Sequence, residues 1–185
     1  MPNLSGDRTW CSLVTVNASQ WAMATRSTAG AAHQLGDWSR DTTPADAILN
    51  GIEVAVACSP QSGAGLSAED LRRPGQLRRI GLACLRHWRL DCLADNAALL
   101  ITELATNALL HGSGTEFALR MIHTASEVRI EVYDGSPGRP CERAAGPDDE
   151  SGRGMAIVAA IADSWGTSGT TTWCALTVPT AGKAQ

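Results

Sequence analysis

The stretch ITELATNALLHG, residues 101–112, decides how this chain is read. Glu103, Asn107 and His111 recur in it at every fourth residue, a spacing that lines three polar side chains along one face of an α-helix. Leu100, Ile101, Leu104, Ala105 and Ala108 supply apolar or small groups that can face a core. A carboxylate, an amide and an imidazole on one ridge of an otherwise apolar helix need a charged, hydrated partner, and a metal-bound phosphate is such a partner. Asn107 offers a neutral oxygen suited to Mg2+ that already carries phosphate oxygens and water. Glu103, one turn earlier, can accept a proton from an attacking hydroxyl or water. His111, one turn later, can touch phosphate or orient the loop that follows. The competing account is a buried polar patch satisfied by backbone groups.

Working outward, this helix is predicted over about residues 93–110, with Gly112 and Gly114 stopping it. Upstream, residues 52–58 form a short β-rich run. Ser67 followed by Asp70 resembles a capping box, and Pro74 fits a first helical turn. Leu77, Ile80, Cys84, Leu85 and Trp88 then recur at helical spacing, which predicts a helix over about residues 75–89. Downstream, Phe117, Leu119 and Met121 share one strand face, as do Val128, Ile130 and Val132, with HTAS between them as a hairpin connection. Residues 134–151, DGSPGRPCERAAGPDDES, form a loop dense in Gly, Pro and acid, either a functional lid or a disordered segment. A helix follows in MAIVAAIADSW, and residues 171–178 make a last strand. The order predicts an α+β two-layer sandwich, with helices on one face of a mixed, mainly antiparallel sheet.

Bulk properties narrow the function. The net charge of −4 leaves no basic footprint for direct nucleic-acid binding, and no apolar run reaches membrane-spanning length. The six cysteines form no CxxC pair, which argues against a zinc ribbon or a dithiol redox site and fits free thiols in a reducing cytoplasm. Residues 1–50 are rich in Ala, Ser, Thr and Gly and poor in large aliphatics, and read as a poorly ordered N-terminal extension. Residues 51–180 form the domain, and 181–185 a tail.

Further chemistry sits in the loops. Asp134, at a strand end, can accept hydrogen bonds from an exocyclic amine, although an Asp-Gly pair also serves as a plain turn. Gly152 and Gly154 precede a helix and can expose amides to an anion. No Walker A and no dinucleotide-type glycine fingerprint is present. The Thr171 hydroxyl can help hold a base. Arg78 and Arg79 open the first helix stripe, where a guanidinium can reach phosphate or simply remain solvated.

Together these segments have a recognisable order. ELATNALLHG resembles the N box of the GHKL ATPase superfamily, VYDGSPG its first glycine box, SGRGMAIV its second and GTTTW its terminal threonine strand. Ser136 departs from the glycine common at that place in the first glycine box. The short chain and the E-x-x-x-N-x-x-x-H form look most like actinobacterial anti-sigma factor serine/threonine kinases. The resemblance covers about residues 52–179. It implies the Bergerat ATP-binding fold, ATP and Mg2+ as ligands, and transfer of the γ-phosphoryl group to a serine or threonine. It assigns Asn107 to magnesium, Glu103 to the catalytic base and Asp134 to adenine. Gly138, Gly152, Arg153 and Gly154 fall in the motifs that flank and end the phosphate lid. Thr171 matches the adenine-site threonine, and Arg79, with Arg78 as the alternative, the arginine of the first helix. The implied partners are a sigma factor and an anti-anti-sigma (STAS) protein, with a homodimer as a further option. A regulatory module that binds nucleotide with little or no transfer is the alternative function.

Overall fold

The computed structural model describes residues 11–17, 47–58, 66–112, 114–135 and 153–179. The described elements are β1 (Cys11–Asn17), β2 (Asn50–Ala57), α1 (Arg73–His87), α2 (Ala94–His111), β3 (Glu116–His123), β4 (Glu127–Tyr133), α3 (Arg153–Ile161), β5 (Ser164–Ser168) and β6 (Thr171–Thr177). The sheet order is β1-β2-β3-β4-β6-β5, and every pairing is antiparallel. This is the expected α+β class. Two strands go beyond the sequence reading. Residues 11–17, inside the segment read as a poorly ordered extension, pair along β2 from Cys11↔Val56 to Asn17↔Asn50. Residues 164–168 form β5, where the sequence reading ran α3 on as far as Trp165.

Local rules account for the helix starts and stops. The Ser67 hydroxyl accepts the Asp70 amide at 3.0 Å and donates to Asp70 Oδ2 at 2.7 Å, while the Ser67 amide reaches the same oxygen at 3.3 Å. That reciprocal capping box closes the 3-10 turn Asp70–Arg72, which runs into α1 with Pro74 in its first turn. At the other end the Leu90 amide donates to Leu85 O and the Arg89 amide to Arg86 O, at 2.8 and 3.0 Å. This Schellman arrangement puts Arg89 at φ 61, in the left-handed region.

The core lies between the helices and one sheet face. Leu119 pairs with Val132 and Met121 with Ile130, so both predicted apolar strand faces point into one cluster with Leu100, Ile101 and Leu104 of α2. A β-carbon on Gly81 would fall 2.4 Å from Ile101 Cδ1 and 3.0 Å from Met121 Sδ, so a residue without a side chain is what lets α1 lie this close to α2 and the sheet. The opposite sheet face is also buried. Glu131 is 0 % exposed there, ion-paired with Arg120 and with Arg129, whose guanidinium lies 3.7 Å over the Trp173 ring. Burial pushes the Glu131 carboxyl up from its ordinary range, against the opposing pull of the two arginines.

Candidate functional site

Helix α2 carries the ridge, because its other flank is committed to the core. Ala97, Leu100, Ile101, Leu104, Ala105, Ala108 and Leu109 are buried, while Glu103 and Asn107 are half-buried and His111 is exposed. The three polar side chains therefore line the margin between core and solvent, one helical turn apart.

Two close approaches bring the rest of the site to that ridge. At its C-terminal end, Gly112 is extended, with ψ 143, and donates to Ala108 O at 2.8 Å. A β-carbon there would lie 2.4 Å from Ala108 O and 3.2 Å from Asp134 O, so only glycine lets the helix end meet the end of β4. Asp134 is thereby set beside the terminus of α2. Its amide donates to Thr170 O at 3.2 Å, tying this corner to the β5–β6 turn. At the other end, a β-carbon on Gly154 would fall 2.8 Å from Glu103 Oε2. The first turn of α3 thus abuts the Glu103 carboxylate, and the buried Met155 and Val158 hold α3 in place.

The structure brings together Glu103, Asn107 and His111, with Arg153 and Gly154 at one end and Asp134 at the other. Gly138 and Gly152 lie outside the described residues.

Two assignments from the sequence do not converge with these. Arg78 and Arg79 are exposed on α1, which meets α2 through Ile101. Ile101 and Glu103 are two residues apart and so project from opposite sides of the helix. Arg79 therefore sits on the flank away from α3. Thr171 is the second case. Cys174 and Leu176 belong to the core under the helices, so strand alternation gives Thr172, paired with Val132, the same face. Thr171 takes the other face with Trp173, opposite the helix layer, where its buried hydroxyl has no hydrogen-bond partner among the described residues. Thr172 is the threonine of this strand on the helix-side face. It lies two residues from Cys174 and four from Leu176, the strand period that gives all three one face.

A shallow depression lies on the Leu109 flank of α2, lined in part by Cys58, Leu66, Leu109, Phe117 and Asp134. It shares Asp134 with the ridge but does not reach Glu103 or Asn107. The Cys58 thiol in its wall is pushed up to about 11 by burial and, secondarily, by the Asp70 carboxylate, which keeps it protonated at neutral pH.

Compared with known families, residues 67–177 match a model described as the histidine kinase-like ATPase domain. No curated protein matches the chain.

Proposed function

The chain belongs to the histidine kinase-like ATPase family, and from that membership we propose that it binds Mg-ATP and transfers the γ-phosphoryl group to a serine or threonine of a partner protein. The observation that carries this reading is the half-buried Glu103–Asn107 pair, one turn apart on α2, with the first turn of α3 against Glu103. A carboxylate beside an amide oxygen fits a magnesium triphosphate, because Mg2+ is held by few protein oxygens and completes its shell with phosphate and water. Bound there, the metal would neutralise charge on the phosphate oxygens.

The residues divide the work by position. Asn107 supplies the metal-side oxygen. Asp134, set at the helix end by Gly112, accepts from the exocyclic amine of the base. The amides at the start of α3 face the phosphates. Glu103 takes the proton of the attacking hydroxyl as its oxygen bonds to the γ-phosphorus. The bond from that phosphorus to the β–γ bridging oxygen breaks, and its electron pair leaves with ADP. The resemblance to anti-sigma factor kinases supports a STAS-domain protein as acceptor, a sigma factor as the sequestered partner and the cytoplasm as the place of action. No described helix is long and apolar enough to cross a membrane.

One observation favours a second reading, a nucleotide-binding regulator with little transfer. Arg79, the candidate for neutralising transferred charge, is exposed on the flank of α2 away from Glu103. Thermal melts and transfer assays separate the two. A Mg-ATP concentration a hundredfold above Kd should stabilise the chain by about 2.7 kcal/mol. Asn107→Ala should abolish that rise in Tm. A wild type that does not respond to Mg-ATP excludes both readings. Glu103→Gln should keep the rise and lower transfer to STAS-domain proteins by about 100-fold or more; unchanged transfer would remove Glu103 from its role.

A further inference from the structure

We propose that Gly154 is a positioning residue for Glu103: the side chain it lacks leaves the space in which the Glu103 carboxylate sits, and so sets where that carboxylate can take up a proton. The proposal rests on the phosphoryl-transfer reading above. It adds a second task to a glycine whose expected role is to help shape the phosphate lid.

A β-carbon built on Gly154 meets Glu103 Oε2 at 2.8 Å, Glu103 Cδ at 3.8 Å and Glu103 Cβ at 3.9 Å. All three nearest atoms belong to one side chain. The two helices that carry the pair are each anchored. Met155 and Val158 are buried from α3, and Leu100, Ile101 and Leu104 from α2. Close-packed interiors resist such movement, so a methyl at Gly154 displaces the flexible end of Glu103 rather than either helix. Alanine keeps the backbone N–H of residue 154. Any phosphate contact made by that amide survives the substitution, while the carboxylate does not keep its place. A phosphate role and a Glu103 role therefore leave different kinetic traces.

The test uses the full chain with Mg-ATP as probe and phosphate release as turnover, water standing in for the acceptor hydroxyl and giving its proton to Glu103. Four proteins are compared: wild type, Gly154→Ala, Glu103→Gln and the double variant. Gly154→Ala should lower kcat by about 10- to 100-fold while KM for ATP and the Mg-ATP rise in Tm stay within about twofold. In the Glu103→Gln background the same substitution should cause no further loss, because the carboxylate it displaces is already gone. A rise in KM with kcat kept, or an equal loss in both backgrounds, overturns the proposal. If Gly154→Ala melts too early to assay, Glu103→Asp in the same chain should restore Tm, since the shorter acid withdraws from the methyl. Failure to restore it overturns the contact itself. A wild type that neither releases phosphate nor transfers it to STAS-domain proteins defeats the transfer reading and this proposal with it. A wild type that turns over beside an unaffected Gly154→Ala defeats the proposal alone.

Discussion

Arg89 shows how one residue can sit against its own preference. Its φ of 61 closes α1, and its neighbours Leu85 and Leu90 are both buried in the core. An L-residue with a β-carbon strains in that region, where glycine does not. Arg89→Gly should therefore stabilise the chain by about 1 kcal/mol, read as a higher midpoint in a urea melt; an unchanged or lower midpoint would mean that the arginine side chain makes a compensating contact. At the same scale, the Ser67–Asp70 box was legible in the sequence because capping is a local exchange of hydrogen bonds over three residues. The sheet face taken by each of Thr171 and Thr172 was not. It depends on which strand face the helices cover, and that follows from the pairing of Val132 with Thr172.

Among elements, the α1–α2 contact turns on Gly81. Alanine is the better helix former by up to about 1 kcal/mol. Even so, its methyl would press on Ile101 and Met121, neither of which has free space to retreat into. Gly81→Ala should therefore destabilise by about 1–3 kcal/mol in chemical denaturation; a stabilised variant would show that the helices slide apart at little cost. The stripe of Leu77, Ile80, Cys84, Leu85 and Trp88 was visible from periodicity, since each helix repeats its core contacts every three or four residues. Strand β5 was not visible. Its residues SWGTS are short, mixed and half-exposed, and they owe their conformation to β6. Asp163 makes the turn out of α3: its amide donates to Ala175 O at 3.0 Å and its carboxylate accepts the Thr177 amide at 2.6 Å.

For the whole molecule, the sheet is buried on both faces, and the second face carries charge. Glu131 is the only carboxylate among the described residues that is fully buried between two arginines, Arg120 and Arg129. Glu131→Ala would leave both guanidiniums without it in a buried setting. That loss should cost about 3–5 kcal/mol, seen as a large fall in the denaturation midpoint; a fall of less than about 1 kcal/mol would mean water reaches the arginines. The amino-acid sequence by itself determined the periodic helices, the alternating apolar strands, the α+β class and the turn-spaced Glu103, Asn107 and His111, because each of these is a local property of residue type and spacing. Only the tertiary structure decided that Gly154 abuts Glu103, that Arg79 lies on the other flank of α2, that Thr172 rather than Thr171 shares the helix-side face, and that residues 11–17 join the sheet. Those outcomes depend on strand register and on which elements touch, contacts between segments far apart in the chain that no local pattern encodes.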